Sequence, residues 1–198
     1  MNSGLGALMS YTKRGMALAE GFYWMAERFM WGSKDTPTDP VEALKLYKQA
    51  AELEVSDAHI RIGELYEHGR GVAQNAAEAL ASYQRAAETG NFFADAFIAN
   101  LFSRTAYAEK AQRFWGRFFG QLRGDPDPNF VAESVGGLIH SYIRAQLRMG
   151  TEPDHRDIIR DHWQEIVSYH QTVLEHGHSD EGLDQLEQVG NWLVRQLR

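Results

Sequence analysis

The stretch at 41–52 comes back at 77–88. Ala43, Leu44, Tyr47, Ala50, Ala51 and Glu52 each recur 36 residues later, as Ala79, Leu80, Tyr83, Ala86, Ala87 and Glu88. The segments ahead of these blocks match as well: Ala26, Phe29 and Gly32 line up with Gly63, Tyr66 and Gly69 at an offset of 37, with one extra residue in the first loop. Self-similarity at such a period marks a unit that cannot bury its apolar face alone and buries it by stacking on its neighbour. The chain is therefore expected to fold as a stack of like units.

Periodicity says what each unit is made of. Ala79, Tyr83, Ala86 and Ala87 stand at i, i+4, i+7 and i+8, one face of a helix. The alanines on that face are small enough for two helix backbones to approach closely. Asp39 and Pro40 suit the N-cap and first-turn positions of the helix that follows. Each unit thus reads as a helix, a short Gly- or Pro-rich loop, and a second helix, in an all-α fold. The units are expected at about 19–55 and 56–93. A third, over 94–123, degenerates: Ala99 and Phe102 take the places of Gly63 and Tyr66, and Ala108, Ala111 and Trp115 are the remnant. Terminal units of a stack need an outer face unlike the interior ones, so weakening at the ends is expected.

In the second unit Ala58, Ile62, Gly63, Tyr66, Gly69, Gly71, Val72, Ala79, Tyr83, Ala86, Ala87, Gly90 and Ala94 resemble the Sel-1-like (SLR) repeat pattern, a relative of the tetratricopeptide repeat. Asn75, Glu78 and Ser82 depart from it, where that family favours Asp, Lys and Trp. The resemblance implies an α/α solenoid and a non-enzymatic protein–protein interaction module. Its relatives act as adaptors and regulators and, in some bacteria, as immunity-type inhibitors of a toxic effector. It also implies that the first helices line the concave side. In the register of Ala26, Gly63 and Ala99, that side takes Tyr23, Glu27, Met30 and Trp31 from the first unit. Ile60, Glu64, Glu67 and His68 follow from the second, and Asn100, Ser103 and Arg104 from the third. Trp and Tyr beside acidic side chains suit a basic or amphipathic partner segment. Trp31 and Tyr23 would equally serve to cover the open end of the stack.

Gly124, Pro126, Pro128 and Asn129 make a strong break, which divides an array at 1–123 from a closing region at 124–198. Three more helices are expected there. One spans about 130–149, with Val131, Val135, Leu138, Ile139 and Tyr142 on one side. A second opens at Thr151 and Asp154 and continues through Ile159, Trp163, Ile166, His170 and Val173. A third follows Ser179, with an apolar stripe over 183–197 that would suit a dimer seam in a self-assembling solenoid. Residues 124–198 hold 6 basic and 13 acidic side chains, so nearly all of the net charge of −7 lies in this part. That balance argues against nucleic acid, whose binding needs clustered cations.

Between Glu109 and Asp125 there is no acid, and Lys110, Arg113, Arg117 and Arg123 alternate with Phe114, Trp115, Phe118, Phe119 and Leu122. Arg113 and Arg117 are a secondary partner-binding candidate in such a basic amphipathic helix. The alternative is that the aromatic stripe is core.

Enzyme chemistry has little to stand on. The chain has no cysteine, which removes disulfides, thiolate metal sites and a cysteine nucleophile. No Gly-x-Ser-x-Gly, Walker or dinucleotide motif is present. His155 and His162 are seven apart and lack the i, i+4 spacing of a helical zinc pair, so no metal or cofactor is expected. An unrecognised site around His155, His162 and Glu165 is the enzymatic alternative. Residues 1–21 lack the pattern of a signal peptide and no run of apolar residues is long enough to span a bilayer, so a cytoplasmic protein is expected.

Overall fold

Among the residues described in a computed structural model there are seven α-helices and no named strand: α1 Ser3–Trp31, α2 Pro40–Glu52, α3 Ser56–His68, α4 Ala76–Glu88, α5 Ala94–Ser103, α6 Ala108–Gly124 and α7 Pro128–Arg148. The structure describes residues 3–104, 107–124 and 128–150, with Pro153, His155, Ile159, Asp161, Asn191, Trp192 and Arg195 beyond them. Side chains are described from residue 15 onward, 108 and 123–136 excepted. The two helices expected after residue 150, including His162, Glu165 and most of the 183–197 stripe, lie outside the described residues.

Local chemistry sets the helix starts. Asp39 accepts hydrogen bonds through Oδ1 from the N–H groups of Val41 and Glu42, at 3.1 and 3.0 Å, with Pro40 opening α2. Asn75 caps α4 in the same way, its Oδ1 accepting from Ala77 and Glu78. The departure from Asp at this position therefore costs no cap, since Asn and Asp are equally good N-cap residues. The loops close alike: the N–H of Asp39 donates to the Phe29 carbonyl at 2.7 Å, and that of Asn75 to the Tyr66 carbonyl at 2.9 Å.

These caps and loops fold α1 onto α2 and α3 onto α4, and α2 packs in turn against α3. Small residues make the approach close. Ala26, Ala43, Ala50 and Ala58 are fully buried in the core of the first pairs, with Tyr47, Leu44, Leu46, Ile62 and Leu65 around them. In the second pair, a Cβ added to Gly63 would come within 2.3 Å of the Tyr83 ring. Tyr83 is itself fully buried and stacked on Phe97, with ring centroids 5.3 Å apart. Burying a side chain of this size contributes about 1.5–3 kcal/mol, so the glycine at 63 is the vacancy that lets the second unit close. Gly71 is constrained twice: its φ is +68°, and a Cβ there would meet the Pro40 carbonyl carbon at 2.5 Å. The loop of the second unit thus rests on the start of α2.

The chain divides into two compact units, Met1–Ile98 and Ala99–Arg198, and the division falls within α5. The first unit holds both clear repeats. In the second, Trp115, Phe118 and Phe119 of α6 are fully buried, as are Ile139, Tyr142 and Ile143 of α7. Phe119 meets the Tyr142 ring at 4.8 Å and the His155 ring at 4.3 Å between centroids. The aromatic stripe of α6 is therefore core. Its cations lie over aromatic rings at the edge: Lys110 sits 4.7 Å from the Tyr107 centroid, and Arg117 5.5 Å from that of Phe114.

Candidate partner-binding site

Five residues of the first unit build a polar network on the first-helix side. Glu27, on α1, is its hub. One carboxylate oxygen accepts from Trp31 Nε1 at 3.0 Å, and the other accepts from the Tyr47 hydroxyl at 2.5 Å and pairs with Arg61 Nε at 2.9 Å. Tyr47 reaches it from α2 and Arg61 from α3. Arg61 then uses Nη1 to pair with Glu64 Oε2, also at 2.9 Å, one helical turn on. A single guanidinium thus ties the first repeat to the second, and its planar fork of donors suits two carboxylates at once.

The electrostatics follow the geometry. Burial works against the charge of Arg61, but the Glu64 carboxylate, with Tyr23 and Glu27, outweighs it and holds its pKa above the ordinary value. Burial, and then the hydrogen bond to Glu27, push the Tyr47 phenol up. Tyr47 accordingly stays a neutral donor and Arg61 a cation at any physiological pH.

Beside this network lies a cleft of about 220 Å³ lined by Met30, Trp31, Tyr47, Arg61, Glu64, Leu65, His68 and Arg70. Its rim is an exposed indole: Trp31 is 58% accessible, anchored below by Glu27 and faced by the Arg70 guanidinium 5.9 Å from its ring centroid. Arg70 comes from the loop after α3, the loop whose Gly71 rests on α2. An aromatic plane, a carboxylate and an apolar floor at Met30 and Leu65 can hold an extended segment that offers one apolar and one basic group.

Tyr23, Glu27, Met30, Trp31, Glu64 and His68 all carry surface on the first unit, and five of the six meet at the cleft or its network. Tyr23 adjoins them, its ring 5.7 Å from that of Tyr47. Ile60 and Glu67 do not belong to the surface: each is only 6% exposed. They stand three before and four after Gly63, on the face that Tyr83 closes, and the Tyr83 hydroxyl donates to Glu67 Oε2 at 2.7 Å. In the second repeat the tyrosine thus takes a carboxylate one turn further along its first helix than in the first. Asn100, Arg104, Arg113 and Arg117 belong to the second unit, where Asn100 is half-buried and the three arginines are exposed. Arg61 and Arg70 were missed. An Arg three residues before a Glu on a helix reads as a solvated pair, and only the approach of α1 to α3 gives Arg61 its second carboxylate.

Among the described residues no group of three or more His, Asp or Glu could hold a metal ion, and no helix is long and apolar enough to cross a membrane.

Stacked helix pairs with a polar-rimmed cleft on the first-helix side define an α/α-repeat protein. More particularly, the family model described as Sel1 repeat matches residues 19–55 and 56–91, so the chain carries two Sel1 repeats. The fold is similar to that of a Sel1 repeat protein from Oxalobacter formigenes, at 24% identity and a TM-score of 0.52, over 79% of this chain and 60% of that one. A second solved structure, c5321, a protective antigen of uropathogenic Escherichia coli strains displaying an SLR fold, matches at 18% identity and a TM-score of 0.49 over 89% of this chain and 45% of that one. The chain therefore spans 60% and 45% of the lengths of these two proteins. Among curated proteins no sequence matches.

Proposed function

We propose that the first unit binds one partner protein through this cleft, with Trp31 and Glu64 as the principal contacts and Tyr23, Met30 and His68 around them. Sel1 repeats generally mediate protein–protein interactions and are typically non-enzymatic scaffolds. The observation that carries the reading is the hub at Glu27. It accepts three donors from three helices and so fixes the Trp31 indole at the mouth of a cleft while leaving more than half of it open. An ordered, exposed tryptophan costs little entropy to engage and supplies a large contact area, the combination found at interface hot spots. The segment that fits is amphipathic, with an apolar side chain against Trp31 and Met30 and a basic one on Glu64. A regulator, adaptor or immunity-type inhibitor would each use such a grip.

Trp31→Ala and Glu64→Ala test it. Each is expected to weaken capture of the native partner by about tenfold or more, the scale of an interface anchor worth 1.4 kcal/mol or above. Both side chains are at the surface, so helical circular dichroism stays unchanged. Undiminished capture by both variants would remove the cleft as the binding site.

A further inference from the structure

Charge is distributed unevenly around the cleft of the first unit. Glu27, Arg61 and Glu64 bring two carboxylates and one guanidinium together, which leaves one negative charge in excess. Arg61 occupies Glu64 Oε2, and a carboxylate has room for further donors. Arg70 supplies the opposite sign. It is exposed, lines the same cleft, and takes part in no salt bridge among the described residues. Glu64 stands one turn before the end of α3 and Arg70 two residues past it, so the two signs are offset along the helix.

The loop that carries Arg70 holds it in place. Gly69 ends α3 at a φ of +66°, a conformation glycine adopts without strain, and the Arg70 N–H donates to the Leu65 carbonyl at 3.0 Å. Gln74 Nε2 ties the far side of the loop to the Glu67 carbonyl at 2.8 Å, and Gly71 rests on Pro40. The guanidinium lies 5.9 Å from the Trp31 ring centroid. Attraction to the ring uses the charge of the cation and leaves its fork of N–H donors for a planar carboxylate. A cation already positioned in this way costs little further ordering when it is engaged. A purely basic segment would meet Glu64 and be repelled by Arg70, and a purely acidic one would meet the reverse. Given the cleft as the binding site, we infer that the partner segment carries both signs beside its apolar anchor, a basic side chain on Glu64 and an acidic side chain on Arg70. Arg70 is then the residue that selects among amphipathic partners.

Selection of a random peptide library on the whole protein tests this. Binders that Trp31→Ala fails to retain are expected to carry an acidic residue, and replacing it by alanine in the synthetic peptide should weaken binding about tenfold. In Arg70→Ala the same replacement should change affinity by less than about twofold, because the carboxylate has already lost its partner. Arg70→Glu should reverse the preference, selecting a base in place of the acid while the apolar anchor is kept. Arg70 is exposed, so helical circular dichroism of both variants stays at the wild-type level. Trp31-dependent binders that lack an acid overturn the inference and leave the cleft itself standing. So does an acid whose removal costs as much in Arg70→Ala as in the wild type. A library that yields no Trp31-dependent binder removes the cleft as the site and the inference with it.

Discussion

Gly63→Ala is expected to lower the stability of the protein by about 2–3 kcal/mol in urea unfolding, although alanine is the better helix former by roughly 1 kcal/mol. The reason is the ring it would strike. A methyl group at 63 lies 2.3 Å from Tyr83, less than the sum of any two carbon radii. Tyr83 has nowhere to go: it is stacked on Phe97 and its hydroxyl is bonded to the buried Glu67. Relief must come from separating α3 from α4, which opens the core of the second repeat. Gly15→Ala is the control, since a Cβ there meets nothing within 4 Å and the change should stabilise by about 0.5–1 kcal/mol. If Gly63→Ala is as harmless as Gly15→Ala, the close helix approach is not what glycine provides.

Arg61→Ala is expected to cost about 1–3 kcal/mol and to loosen the cleft as well. Removing the guanidinium leaves the Glu27 carboxylate, only 16% exposed, with its neutral donors Tyr47 and Trp31, and takes from Glu64 its paired cation. Two largely covered carboxylates, 16% and 31% exposed, then share a site with no cation between them. Arg61 is itself about one-third exposed, so solvent screening keeps the cost at the lower part of that range. Arg61→Lys should recover only part, because an ammonium cannot present two donors in the fixed geometry that spans Glu27 and Glu64. In a Glu27→Gln background the same Arg61→Ala change should cost less. Equal costs in both backgrounds would mean that Arg61 does not couple the repeats.

Much of the first unit was legible in the sequence because its packing depends on residue size at fixed spacing. Alanine at 43, 50, 79 and 86 and tyrosine at 47 and 83 announce a helix face that is narrow and then filled, and all six are fully buried. Asp39 and Pro40 likewise act through the nearest peptide groups, so no knowledge of the tertiary fold is needed to place them. What reads poorly is chemistry made across helices. Glu67 looks like a surface acid on α3, yet the hydroxyl that draws it inward is 16 residues away on α4. Arg61 becomes a site residue only when α1 arrives with Glu27, 34 residues earlier in the chain. Ile60 was placed outward from the register of its neighbours, although three residues before Gly63 is the side that Tyr83 covers. For α6, the sequence left core and interface both open for its aromatic stripe. The fully buried Trp115, Phe118 and Phe119 decide it, with Lys110 and Arg117 held over aromatic rings beside them.

The cleft on the first unit is the central claim, and hydrogen exchange on the native complex tests it most directly. The partner recovered from the source cell by affinity capture is added back to the pure protein, and amide protection is compared with and without it. Binding in the cleft predicts added protection in the peptides that contain Trp31, the C-terminal turns of α3 and the loop at Arg70, and loss of that protection in Trp31→Ala. Protection confined to α6 and α7, with the α1 and α3 peptides unchanged, would contradict it.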